Sequence, residues 1–165
     1  MIAAEPPPSP PTAEAVVISR RESSEVVASL DTPLVLSKAG QREQAFVRQA
    51  VFVTTSLSLV RPASGTPTPD GWRWAHQAFL QRQICFSSIT GLFACAEASV
   101  QPLIHAENGE APVSPVDPEA APESEAARKR LADGLKPKAA ALFEADRRQH
   151  VDPMLKAAGV VAARR

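Results

Sequence analysis

Apolar positions follow two different periods along this chain, and the change between them sets the expected architecture. From Trp72 a large apolar residue recurs at every seventh position: Trp72, Phe79, Phe86, Phe93 and Val100. Seven residues are almost two turns of α-helix, so these side chains would form one stripe that drifts by about 20° per step. The spacing predicts one long helix over residues 70–101, with these five residues as its contact surface. Thr68-Pro69-Asp70 resembles a capped helix start, and Pro102 would end the helix. His105 to Gly109 then reads as a turn.

Before that stripe the signals are mixed. Ala15–Ile18, Glu25–Ala28 and Leu34–Leu36 are short β-branched runs, each long enough for a brief strand. Gln41–Ala50 reads as a few helical turns, with Ala45, Phe46, Gln49, Ala50 and Val53 at helical spacing. From Val51 to Leu59 the pattern alternates strictly, which predicts a strand, with a helix from Gln41 through Ser56 as the competing reading. After the acidic stretch, Ala127, Leu131 and Leu135 share a helical face, Ala139, Leu142 and Phe143 suit a second short helix, and Asp152-Pro153 opens a third. The expected fold class is mainly α, becoming α+β if the short strands form.

Proline divides the chain. Five of its 16 prolines crowd into Pro6–Pro11 and four more punctuate Pro112–Pro122. A residue that fixes φ and lacks an N–H cannot join a helix interior or a central strand. The expected organisation is a disordered Pro-rich tail over 1–14, a small core domain over 15–104, an acidic linker over 105–123 and a basic helical tail over 124–165. Pro7-Pro8-Ser9-Pro10-Pro11 has the spacing of a polyproline ligand but no flanking Arg or Lys, so it reads as a spacer.

Charge is zero overall but sorted. Six acids and no base lie between Ala106 and Ala127; from Arg128 onward ten bases face four acids. Arg128, Lys129, Arg130, Lys136, Lys138, Arg147 and Arg148 are therefore candidate contacts for an anion or nucleic acid. Trp72-Arg73-Trp74 sets two indoles around a cation, but helical spacing would send Trp74 away from the stripe.

Candidate chemistry is sparse. His76, His105 and His150 lie far apart without a second ligand at metal-binding spacing, and neither G-x-S-x-G nor a phosphate-cradling glycine loop is present. The expectation is a protein that is not an enzyme, with no catalytic residues, cofactor or metal. Cys85 and Cys95 on one helix would stand about 15 Å apart, too far to bridge, so they read as reduced thiols of a cytoplasmic protein. No secretory signal is expected at the N-terminus, and the longest charge-free apolar window, Gln83–Ala96, is too short for a membrane span.

The functional expectation is a small helical protein that works by protein–protein contact or self-association through its aromatic stripe. The alternative is a nucleic-acid-binding accessory protein that uses the basic tail. The lack of Tyr and the weak strands also allow a chain with no defined function.

Overall fold

A computed structural model describes residues 16–38, 41–61, 71–87, 93–112, 122–157 and 161–164. It corrects the expected fold class: the protein is mostly β, a curled antiparallel half-barrel with helix only at the C-terminus. The strands are β1 (Val16–Lys38), β2 (Gln41–Arg61), β3 (Gly71–Ser87), β4 (Phe93–Cys95), β5 (Ser99–Pro112) and β6 (Val161–Arg164). Their order across the sheet is β4-β3-β2-β1-β6, with β5 also on β3. β4 takes the Cys85–Ser87 end of the β3 edge and β5 takes Gly71–Arg82.

The helix predicted over residues 70–101 does not form, because a period of two wins over the period of seven. On β3 the even positions Trp72, Trp74, His76, Ala78, Leu80 and Ile84 are buried on the concave face. Seven is odd, so on a strand the members of the aromatic stripe fall on alternate faces. Trp72 and Phe86 point inward, Phe79 points outward onto Phe52 with ring centroids 5.5 Å apart, and Phe93 lies on β4. The Gln41–Ala50 stretch read as helix is likewise strand: Ala45, Val47 and Gln49 are buried and continue into Val51 and Val53. In register, Val53 stands opposite Ala78, Val51 opposite Leu80 and Val47 opposite Ile84, so both central strands present one apolar face.

The three short runs read before residue 37 join into one 23-residue strand. Register shifts between Val17 and Ser19 and between Val26 and Ala28 break its pairing with β2, and a third lies between Gln77 and Phe79 on β3. Such bulges bend long strands and increase their twist. His105–Gly109, expected as a turn, lies within β5, and Pro102, expected to end a helix, lies on that same edge strand beside the third shift. Proline is tolerated on an edge, where a missing N–H interrupts no interior ladder.

Helix follows in one run: α1 (Pro122–Leu135), a 3₁₀ turn at Lys136–Lys138, α2 (Ala139–Asp146), a π turn at Arg147–Val151 and α3 (Asp152–Ala157). Its buried residues include Ala127, Leu131, Leu135, Ala139, Phe143, Arg147, Val151 and Leu155, each four from the last. Leu131, Leu135, Ala139 and Phe143 pack on Val51, Val53, Ala78 and Leu80, while Val151 and Leu155 pack on Leu34, Leu36, Ala45, Val47 and Ile84. The helical segment thus covers the concave face from Val53 and Ala78 to Leu36 and Ile84. Among the described residues no helix is long and apolar enough to cross a membrane. The Pro-rich N-terminus, the capped start at Thr68–Asp70 and most of the Ala111–Pro122 linker lie outside the described residues.

The cysteines also differ from expectation. Cys85 and Cys95 form a disulfide, because the chain turns back after β3 and brings β4 alongside in a register that puts the two opposite each other. The argument against a bridge required a helix that is absent.

One glycine is held by contact. Gly109 stands opposite Trp74, and a Cβ built there lies 2.7 Å from Cε2 and 2.9 Å from Cη2 of the indole. The ring occupies the space that a side chain would need. A Cβ at Gly134 meets nothing within 4 Å. Gly109→Ala is therefore expected to lower stability by about 1–3 kcal/mol, whereas Gly134→Ala is expected to raise it by roughly 0.5–1 kcal/mol. Paired urea melts of the two variants check both signs.

Candidate functional site

Of the predicted contact residues, the fold assembles no common surface. Trp72 is buried, Phe79 and Phe86 are half-buried on opposite faces, and Val100 is exposed on β5. The cations of the tail mostly meet carboxylates. Arg128 pairs with Glu25 and Glu125, Arg130 with Glu107 at 2.7 Å, Lys136 with Asp133 at 3.7 Å, and Arg147 and Arg148 both with Glu144. Lys129 and Lys138 are exposed.

Two polar groupings sit between helix and sheet. In the first, the buried Asp146 accepts from Arg82 Nε at 2.8 Å and Nη2 at 2.6 Å, and from Gln49 Nε2 at 2.8 Å. Gln49 Nε2 also donates to the Phe143 carbonyl at 2.9 Å, and Arg82 reaches Gln101 on β5 at 3.0 Å. Gln49 and Arg82 are opposite each other on β2 and β3, so a single carboxylate from α2 ties the two central strands to the helix. A charge removed from water is stable only when paired and hydrogen-bonded in this way.

The second grouping centres on His76, which is 1% exposed. Its Nε2 donates to the Ser124 carbonyl at 2.9 Å, so Nδ1 accepts the Thr55 hydroxyl at 2.8 Å. His76 helps line a cleft of about 300 Å³ with Thr55, Leu57, Ser124, Glu125 and Arg128. Both ring nitrogens are hydrogen-bonded within the chain, so the imidazole pins the start of α1 to the sheet at the wall of this cleft. Among the described residues no three metal-ligating side chains gather. The sequence pattern offers His76 only as a metal-ligand candidate. Its place in the even-numbered row of β3 was the missed signal.

The sheet edges offer a different surface. Among the large hydrophobic side chains that stay exposed, Val16, Val17, Ile18, Val26 and Leu30 lie on β1, Val100 and Ile104 on β5 and Met154 on α3; none lies on the interior strands β2 and β3. Along its outer side β1 pairs only with β6, over Leu34–Ser37, among the described residues. Among the described residues, 16–33 of β1 pair with β2 alone, and Val16, Val17, Ile18, Val26 and Leu30 are exposed there. The β-branched runs at Val16–Ile18 and Val26–Val27 were legible as strands, but their exposure was not.

Burial holds the His76 pKa below its ordinary value, against smaller raising effects of the Ser124 carbonyl, Glu107 and Glu125. The folded chain therefore binds fewer protons at this ring than the unfolded chain does. Its contribution to stability is full above the ordinary imidazole value of about 6.5 and is lost as pH falls through the lowered folded value. Glu107 and Glu144 are held low by hydrogen bonds from Arg130 and Arg147, so their losses begin only in the carboxylate range. Between about pH 7.5 and 5.5 the melting temperature of the wild type is expected to fall, and that of His76→Gln to start lower and stay flatter. Equal slopes would remove His76 as the cause. No protein-family model matches the chain, and neither a curated protein nor a solved structure matches it.

Proposed function

We propose that this protein is not an enzyme and works by protein–protein contact, adding a partner's strand at the β1 edge, which pairs with β2 alone before Leu34 among the described residues. The observation that carries this reading is the concentration of exposed apolar side chains on the edge strands, with Val26 at 63% and Ile104 at 100% exposure. An edge strand supplies affinity through main-chain hydrogen bonds and specificity through alternate side chains. Much of the concave face is already covered by the protein's own helix. The nucleic-acid alternative has less support, since five of the seven candidate cations meet carboxylates within the chain.

Side chains kept for a partner contribute little to the monomer's own stability. Replacing Val17 and Val26 together by Lys is expected to leave the melting temperature within the range of ordinary surface changes, about ±0.5 kcal/mol per site. A large drop would mean that these residues pack within the folded chain, and the edge reading would fall.

The Cys85–Cys95 bridge supports maturation in an oxidising compartment in place of the cytoplasmic location expected from the sequence. It closes a short hairpin between β3 and β4 with a separation of 10 residues. Protein isolated from its native source is expected to resist alkylation until reduced, and reduction should cost about 2–3 kcal/mol. Two readily alkylated thiols without reductant would return the protein to a reducing compartment.

A further inference from the structure

We infer that the first turns of α1, residues 122–130, are a lid held to the sheet chiefly by polar contacts and released when His76 takes up a proton. The helical segment joins the apolar cluster on the central strands only from Leu131 onward, with Leu135, Ala139 and Phe143 behind it. Before Leu131, α1 buries Ser124 and Ala127 and no larger apolar side chain. Three contacts hold this part down, each to a different strand. The Ser124 carbonyl accepts from His76 on β3 at 2.9 Å, Arg128 pairs with Glu25 on β1, and Arg130 pairs with Glu107 on β5 at 2.7 Å. The device is independent of the edge reading above.

Both ion pairs are partly exposed, and pairs in contact with water contribute little and are screened by salt. Opening strands no group, because both members of each contact then reach water. A segment held in this way opens at far less cost than the whole chain unfolds. Downstream, Leu131, Leu135 and Phe143 in the core and the buried Asp146 keep the rest of the helix docked. His76 supplies the trigger. In the closed state the ring is 1% exposed, between the Thr55 hydroxyl and the Ser124 carbonyl. Among the described residues, the charged groups that face it are Glu125 and Arg128 on α1, Glu107 on β5, and Arg21 and Glu22 on β1. The attraction of Glu107 and Glu125 offsets only part of the cost of burying an imidazolium, so the closed ring resists protonation. Lifting the lid hydrates the ring, and the open state therefore gains population as pH falls. It uncovers His76 and the cleft beside it.

Hydrogen exchange of the full chain, followed by NMR and corrected for the intrinsic pH dependence of exchange, separates the lid from the rest. The amides of residues 126–130 are the reporters, since those of the first turn have no intrahelical acceptor at any pH. At about pH 7.5 they are expected to exchange roughly tenfold faster than the slowest amides of 131–146, and the ratio should widen by about pH 5.5. In His76→Gln the ratio should be large and the same at both pH values. A second variant leaves the trigger in place and weakens the latch: Glu25→Gln with Glu107→Gln, both near the surface, should speed exchange in 126–130 and leave 131–146 unchanged. Equal protection of the two segments in the wild type would overturn the proposal. So would a ratio indifferent to pH, a ratio that still widens in His76→Gln, or a double variant whose lid exchanges as the wild type does. The wild-type pH series and the double variant decide the matter even where His76→Gln does not fold.

Discussion

A sheet of this length cannot stand with its concave face in water. β1, β2 and β3 run to 23, 21 and 17 residues, up to roughly 75 Å of strand at 3.3 Å per residue, and bulges curl them into a half-barrel that does not close. The inward row from Ala45 to Val53 and from Trp72 to Ile84 therefore needs a cover as long as itself. The helical segment from Pro122 to Ala157 supplies it, and nearly every other feature depends on that docking. A spacing of four residues overshoots a full turn of α-helix by about 40°, so the buried ladder from Ala127 to Leu155 would wind away from a straight contact. The π turn at Arg147–Val151 is wider than an α turn and brings Val151 and Leu155 back onto the lower cluster.

Apolar packing alone does not say where along the sheet a helix should sit, because one row of Leu, Val and Ala accepts several offsets. The polar pins choose among them. Asp146 meets Arg82 and Gln49 in one position of α2 only, and His76 meets the Ser124 carbonyl in one position of α1 only. Losing one partner of a buried pair costs about 3–5 kcal/mol, more than a slipped apolar contact recovers. The pins therefore act chiefly on register, and the apolar ladder supplies most of the stabilisation.

The helix faces were legible in the sequence because Ala127, Leu131, Leu135, Ala139 and Phe143 recur every fourth residue while Lys129, Asp133 and Pro137, at the second positions between them, break the alternation a buried strand face needs. The Val51–Leu59 alternation was legible for the complementary reason. β3 was misread because its aromatics happen to recur at seven, a distance compatible with a helix, while the Arg73, Gln77, Gln81 and Gln83 positions that mark its outer face were given less weight. Trp72-Arg73-Trp74 was already a strand signature, with like residues two apart. Once residues 70–101 were taken as helix, the cysteines were necessarily separated and His76 necessarily stranded. The disulfide, the Gly109–Trp74 contact and the His76 pin all depend on pairings between distant segments, which a single local pattern cannot carry.

Filling the concave face with the chain's own helix has a consequence for function. A half-barrel that held a ligand along its inward row would need that row free, and here the part from Val53 and Ala78 to Val47 and Ile84 is covered by the helix. What remains outside the core is the perimeter, and there the strands are unequal: among the described residues β6 covers β1 over four residue pairs and the rest of that 23-residue strand has β2 as its one neighbour. Soluble proteins ordinarily blunt such an edge with prolines, inward charges or a covering loop. β1 instead carries Val16, Val17, Ile18, Val26 and Leu30 exposed around a central cluster of Arg20, Arg21, Glu22 and Glu25. Apolar ends flanking a charged centre give a strand both attraction for a partner and a means of selecting its register. The proposed recognition through this edge would draw on that combination.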